Sequence, residues 1–395
     1  MEPAAANNLM VDRLIGEGAL WTPALIAAFR ATPRHCFLDR VFQFQRKAKR
    51  WREVNTRAPG PRELELVYSD RALITHLSKP APGKPPIPLS SSSQPSLMAQ
   101  MIEDLRLAPG MRVLEIGAGT GYNAALLAHL VGAGKVFSVD VDQNVLSEAW
   151  DHLRAFPDRQ VELCHGDGRQ GWAGGAPFDR IMVTAAALDL EPAWLEQLAP
   201  AGLLLTPWNL APGLSYLIRG SVHAGVFHGR LTRPAYFLPL RAEEEIDNPD
   251  LGTSSSLSET TIQRPAPWAA WFSRKTHRLR WFNLLQALVF WSYLHCLTIH
   301  HFDMGQPIYG ISDRDSICWF SEQQWHGSSH SGLELGWKMW QSFLQAGGPW
   351  PSEFRLQASP HDGLLATSQP AFFRRGPRCQ HLWELIPGHD RADRF

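Results

Sequence analysis

The chain has 395 residues, and its 38 Lys and Arg are matched by 38 Asp and Glu, so the formal net charge is zero. That balance leaves no electrostatic footprint for a nucleic acid or an anionic membrane, and the length exceeds what one hydrophobic core usually supports, so two domains are expected. Five scattered cysteines (Cys36, Cys164, Cys296, Cys318, Cys379) form no Cys-x-x-Cys pair, which argues against a disulfide framework or zinc ribbon; with no basic-then-apolar N-terminal pattern, a reducing, cytoplasmic setting fits best.

Residues Val11 to Phe44 read as helical, with Leu14, Leu20, Leu25, Ile26 and Phe29 at three- and four-residue steps, and Pro33 to Phe37 breaks the run. Lys79 to Ser96 is rich in Pro and Ser and ends in Ser90-Ser91-Ser92-Ser93-Gln94-Pro95. Composition alone reads as a linker. Leu97 to Leu105, however, is an amphipathic helix opening just after Pro95, which puts the serines at a helix N-terminus. From Gly110 to about Arg241, strand patterns at Arg112–Ile116, Lys135–Val139, Val161–Cys164, Arg180–Val183 and Leu203–Pro207 alternate with helical stretches such as Asn144–Phe156 and Pro192–Leu198. Alternation of this kind specifies a parallel, doubly wound sheet whose ligands bind at the carboxyl ends of the strands.

Three such ends carry chemistry. The strand ending at Ile116 runs into Gly117-Ala118-Gly119-Thr120-Gly121 and then a helix, a layout in which backbone N–H groups face a bound nucleotide and a Cβ would block close approach. The turn lacks the Gly-x-Gly-x-x-Gly spacing that suits a pyrophosphate, and Glu115 precedes it, which favours a nucleoside with an amino-acid tail, S-adenosyl-L-methionine. Asp140, followed by Val141 at the end of the next strand, is placed to accept from both ribose hydroxyls. Asp167-Gly168, after the third strand, is placed to accept from the adenine amino group, or else Asp167 caps a turn.

Beyond Arg241 the composition shifts. Residues 242–263, acidic and then Ser/Thr-rich, read as a linker, and 264–395 as a Trp-rich domain with a core of its own. Trp281 to Ile299 is apolar but contains Asn283, Gln286, Ser292 and His295, so it reads as a buried strand or helix in preference to a membrane span. Leu333, Trp337, Trp340 and Phe343–Leu344 form one helical stripe ended by Gly347-Gly348, and Phe354 starts a strand. His295, His300, His301 and Asp303 match no metal-ligand spacing, so no metal is expected.

The region from about Leu14 to Arg241 resembles protein L-isoaspartate O-methyltransferases. The resemblance rests on Ser93-Gln94-Pro95, Val113 to Tyr122, Gly166-Asp-Gly-Arg-Gln-Gly-Trp172, Ala176 to Ala187 and Leu195 to Gly202. It implies an α/β fold: a doubly wound, Rossmann-like methyltransferase sheet (domain 1–241, with an N-terminal helical region over 1–78 and a core over 93–241) and a smaller C-terminal α+β domain. It implies Ser93 as the active-site serine, Ser90, Ser91 and Ser92 as a loop closing over the cofactor, Gly117, Ala118, Gly119 and Gly121 as a cradle for the methionine end, Asp140 and Val141 at the ribose, and Asp167 and Gly168 at the adenine. Asp70 and Thr184 are assigned to the substrate side.

The implied activity is methylation of an L-isoaspartyl or aspartyl side-chain carboxylate of a peptide or protein, giving an ester that can collapse to succinimide; no nucleic acid, membrane or metal takes part. General repair members usually carry a Thr-Ile-Ser run where this chain has Ser91-Ser92-Ser93, and they stop near Leu240. The extension, through Tyr309 to Asp313, Gly332 to Gly347 and Phe354 to Leu356, resembles members that tailor ribosomally synthesised peptides. A dedicated peptide-tailoring enzyme is therefore the alternative, and a non-catalytic cofactor-binding scaffold a second.

Overall fold

Along β5 (Arg112–Ile116), Val113 packs into one hydrophobic cluster while Leu114 and Ile116 pack into another. The same alternation sets Met182 against Ile181 and Val183, Leu205 against Leu204, and Leu217 against Ile218. Strands with apolar residues on both faces belong to a sheet covered on both sides, and the rest of the fold supplies the covers. The computed structural model describes residues 2–80, 85–211, 214–242, 262–265, 277–303, 307–313, 316–320, 324–361, 365 and 371–386.

Helices α1 (Pro3–Gly16) and α2 (Pro23–Ala31) each carry Pro in the first turn, where no amide donor is needed, and bury Met10, Leu14, Leu25 and Phe29. The helical run expected to reach Phe44 is interrupted between Gly16 and Pro23 and ends at Ala31, because Pro33 disfavours helical backbone at Thr32. The chain then forms β1 (Arg40–Gln45) and β2 (Arg50–Asn55), α3 (Pro61–Val67), β3 (Leu73–Leu77) and β4 (Pro88–Ser92). These strands make an antiparallel sheet of order β2-β1-β3-β4. The serine end of the Pro/Ser tract is thus largely a strand, and α4 (Pro95–Leu105) follows it at the expected start.

The five expected strands are all present as β5, β6 (Lys135–Asp140), β7 (Val161–His165), β8 (Phe178–Val183) and β9 (Leu198–Ala211), with α5 (Tyr122–Val131), α6 (Gln143–Leu153) and α7 (Pro192–Glu196) between them. They pair in parallel in the order β7-β6-β5-β8-β9. The sheet then turns antiparallel through β10 (Leu214–His223) and β11 (Val226–Pro234).

The C-terminal region divides in two. Strands β12 (Ile262–Pro265), β13 (Thr298–Asp303), β14 (Pro307–Ser312), β15 (Ile317–Phe320) and β16 (Gln324–Gly327) form a separate antiparallel sheet, accompanied by α8 (His277–Leu294) and α9 (His330–Gln345). In contrast, β17 (Phe354–Pro360), β18 (Ala371–Arg375) and β19 (Cys379–Leu385) rejoin the central sheet beyond β11, in the order β11-β17-β19-β18. The expectation that 264–395 has a core of its own is therefore corrected: one cluster runs from Leu114 and Val183 through Trp208 to Phe290 and Trp383. Trp208 stacks on Trp383 at 5.7 Å, and the buried carboxylate of Asp189 accepts from His381 Nε2 at 2.8 Å. Most of the expected linker, Glu243 to Thr261, lies outside the described residues.

The apolar segment around Trp281 to Ile299 is α8 running into β13; from Leu284 to Leu294 it is buried in the shared cluster. No helix among the described residues is long and apolar enough to cross a membrane. In α9, Leu333, Trp340 and Phe343 are buried, but Trp337 and Leu344 are 44% and 40% exposed. The buried stripe is narrower than expected and runs through Leu333, Gly336, Trp340 and Phe343, with Gly336 so close to Cys318 that a Cβ would lie 2.5 Å from its Sγ.

Candidate active site

The turn after β5 has left-handed backbone at Gly117 (φ +99°) and Gly119 (φ +51°), which side chains disfavour. A Cβ on Gly117 would lie 2.5 Å from Thr184 Oγ1, and that hydroxyl is 2.7 Å from the Gly117 carbonyl, to which it donates. Asp140 ends β6 beside this turn. Its Oδ2 accepts from the Gly119 amide at 3.0 Å and its Oδ1 from the Asp142 amide at 3.1 Å. Burial outweighs these bonds and raises its carboxyl above the usual range. The two amides fix the carboxylate plane at the wall of an open-mouthed cleft with about 930 Å³ of empty space, mouth included. Ser90 to Ser93, Glu115, Gly117 to Gly119, Asp140, Val141, Gly168 and Thr184 all line it.

The opposite wall is β4. A Cβ on Gly119 would lie 3.5 Å from the Ser91 carbonyl and 3.8 Å from Ser90 Oγ, so the serine strand passes directly over the glycine turn. Ser92 turns inward and is 3% exposed. Ser93 is half-buried on the cleft, and its hydroxyl has no hydrogen-bond partner among the described residues. Its position is set by Arg34, which is fully buried. Arg34 Nη2 donates to the carbonyls of Ser93 (2.9 Å), Ser92 (3.2 Å) and Arg71 (3.0 Å), Nη1 to those of Val67 (2.9 Å) and Ser69 (3.1 Å), and Nε to Ser92 Oγ (3.3 Å). Burial lowers the guanidinium to about 10, so it remains charged at neutral pH.

Glu115 lies in the floor with no exposed surface, its oxygens accepting from Asn123 Nδ2 and Ser138 Oγ, both at 2.6 Å. Its role is to hold α5 and β6 against β5 beneath the cleft. Burial, resisted by those two bonds, pushes its carboxyl up to about 7. A carboxyl raised on folding contributes stability that is complete below its unfolded value near 4.3 and is lost as pH rises through about 7. Urea unfolding is accordingly expected to show stability falling from pH 5 to 8.5, by a margin on the order of 3 kcal/mol that disappears in Glu115→Gln. An identical slope in the variant would remove Glu115 as the titrating group.

Three of the expected site residues sit away from the cleft surface. Gly121 (φ +80°) starts α5, and a Cβ there would meet Ala149 of α6 at 3.3 Å, so it serves helix packing. Asp167 caps the short turn at Gly168 by accepting from the Arg169 amide, and it pairs with the Arg169 guanidinium at 2.6 Å; its neighbour Gly168 is the residue on the cleft. Asp70 accepts from Gln94 Nε2 (2.8 Å), the Ser96 amide (2.9 Å) and Ser96 Oγ (2.8 Å), which anchors the first turn of α4. Those bonds overcome burial and hold its carboxyl below the usual range. Sequence reasoning missed Arg34 and the segment Phe237 to Arg241, which follows β11, bridges to Ala186 and completes the rim.

The profile of the protein-L-isoaspartate (D-aspartate) O-methyltransferase family matches residues 65–245. A protein-L-isoaspartate O-methyltransferase of Pectobacterium atrosepticum is 37% identical over 219 residues, covering 55% of this chain and 86% of the relative. The chain belongs to the protein-L-isoaspartate O-methyltransferase family. A further relative, from Gloeobacter violaceus, is 31% identical over 238 residues and is covered over 98% of its length. A solved protein-L-isoaspartate O-methyltransferase superposes with a TM-score of 0.52 at 20% identity, covering 89% of this chain and 96% of its own; the likeness in fold thus continues past residue 245. As a family member the chain is a methyltransferase with S-adenosyl-L-methionine as its cofactor, and the cleft fits that molecule: a side-chain-free turn, an oriented carboxylate at the end of the second strand and a glycine at the end of the third. Among the described residues no group of His, Cys, Asp and Glu is arranged to hold a metal.

Proposed function

We propose that this enzyme methylates the side-chain carboxylate of L-isoaspartyl or aspartyl residues in peptides or proteins, and that Ser93 orients that carboxylate. The observation that carries this reading is the unpartnered Ser93 hydroxyl on the cleft, its backbone clamped by Arg34. Bound S-adenosyl-L-methionine supplies an electrophilic methyl carbon. The carboxylate is ionised at neutral pH, so its oxygen forms the new C–O bond while the C–S bond breaks toward sulfur, and no base is needed. What remains for the protein is alignment, which can lower a barrier by roughly 7–11 kcal/mol. The ester so formed is open to attack by the next backbone nitrogen, which expels methanol and closes a succinimide.

Ser93→Ala is expected to lower turnover about tenfold to a hundredfold, the scale of a lost orienting hydrogen bond of about 1.5–3 kcal/mol to a charged group. Calorimetry with S-adenosylhomocysteine should show little change in affinity. Unchanged turnover on a labelled-methyl assay would remove Ser93 from this role.

A second reading, a tailoring enzyme devoted to one peptide, is supported by the reach of the C-terminal region. Gln286 of α8 donates from Nε2 to the Tyr236 hydroxyl at 3.3 Å, and Tyr236 precedes the rim segment 237–241. Residues 264–395 on this view contribute substrate recognition. Paired isoaspartyl and aspartyl peptides separate the readings: transfer to the isoaspartyl form supports repair, and transfer to neither supports a dedicated substrate.

A further inference from the structure

We propose that the outer face of the antiparallel half of the central sheet carries an oxyanion site for a phosphate-type group, separate from the cofactor cleft. Arg219 of β10 stands directly opposite Arg230 of β11, which stands directly opposite Arg355 of β17. Directly opposed residues share a face with Cβ atoms about 4.5–5.5 Å apart, and like charges so placed repel. Three guanidinium groups on three neighbouring strands are therefore a local excess in a chain whose total charge is zero.

Their neutralisation within the protein is incomplete. Arg219 pairs with Asp104 at 3.5 Å, but Asp104 also holds Arg233 at 2.9 Å, so one carboxylate serves two cations. Arg230 and Arg355 are exposed, and neither side chain has a hydrogen bond or ion pair among the described residues. Glu384, opposite Arg355 on β19, lies at one end of the row, 3.4 Å from the Gln357 amide nitrogen that donates to it. The three arginines, His228, Gln357 and Glu384 line one groove with about 1110 Å³ of empty space, mouth included, and none of them lines the cofactor cleft.

The geometry selects the ligand class. Guanidinium forks present paired N–H donors that match the oxygens of a tetrahedral oxyanion, and forks from adjacent strands converge on one multivalent group. A single-stranded nucleic acid would want aromatic platforms along a longer basic track, and the groove lining contains no Phe, Tyr or Trp. Relief of like-charge repulsion by a bound oxyanion gives the row a purpose that a solvated surface lacks.

Thermal unfolding of the full-length protein in inorganic phosphate, against chloride at equal ionic strength and pH, tests the site. Phosphate should raise the midpoint saturably above the chloride value. In the double variant Arg230→Gln, Arg355→Gln the phosphate increment should vanish, the midpoint in chloride should equal or exceed wild type, and S-adenosylhomocysteine affinity should be unchanged. Equal midpoints in phosphate and chloride, or an increment that survives in the variant, overturns the proposal. Calorimetric titration of the wild-type protein with inorganic phosphate is the second arm should the variant fold poorly, and absence of saturable heat there also overturns it. Within a positive result, a phosphoserine peptide binding tenfold tighter than free phosphate assigns the group to a protein partner, whereas equal binding assigns it to a small molecule.

Discussion

Replacing Arg34 with Met is expected to destabilise the protein by about 3–5 kcal/mol, the scale of leaving two or three buried carbonyls without a donor. The mutation removes the donor shared by the carbonyls of Val67, Ser69, Arg71, Ser92 and Ser93; Ser69 keeps the Arg71 amide as a donor, and a buried acceptor left without any donor costs about 1–3 kcal/mol before relaxation. The same bonds fix β4 over the glycine turn, so turnover should fall about a hundredfold, the penalty for misplacing reacting groups by an ångström. S-adenosylhomocysteine affinity should fall by less, because the Gly117 turn and Asp140 do not depend on Arg34. Lys at this position keeps the charge with three donors in place of five and should land between. Urea unfolding and single-turnover kinetics check both halves, and a Met variant with wild-type stability would show that Arg34 is dispensable.

Asp189→Ala is expected to cost a similar amount, about 3–5 kcal/mol. The carboxylate accepts from His381 Nε2 at 2.8 Å and from the amides of Arg378 at 2.6 Å and Cys379 at 3.0 Å, and both Asp189 and His381 are 1% exposed. Although burial works against ionisation, these bonds hold the carboxyl below its usual range. Its contribution is therefore present above the unfolded value of about 3.9 and lost as pH falls through the folded one. Because β19 and the strands after β8 share one core, the variant should lose stability in a single denaturant transition by Trp fluorescence. Two separated transitions would restore an independently folding C-terminal domain.

The parallel half of the sheet is readable in the sequence because β5 to β8 are short apolar runs and β5 to β7 end in Gly or Asp turns, and the Gly117 turn and Asp140 follow from that register. Other features have no local signature. Arg34 sits in a short polar stretch after Pro33, and only the tertiary fold turns its guanidinium inward to carbonyls up to 59 residues away. Asp167 reads either as a ligand-binding or as a capping carboxylate because both kinds of aspartate occupy the same strand-to-helix turn, while Asp70, assigned by resemblance, lies between α3 and β3 and anchors α4 instead. Strands β17 to β19 read as members of a separate core because sequence distance hides pairing: β17 lies more than a hundred residues beyond its partner β11. Trp337 reads as core on periodicity alone, although its neighbour Gly336 is the residue that packs against Cys318.

The return of β17 to β11 also bears on solubility. If the chain stopped after the rim segment, the amides and carbonyls along Phe227 to Arg230 would form an unpaired sheet edge, an open template for other strands. In the full chain that edge lies instead at β18, a five-residue strand ending in Arg374 and Arg375, short and charged in the manner that discourages strand addition. The C-terminal strands therefore cover an edge of the catalytic sheet that the shorter chain would leave open.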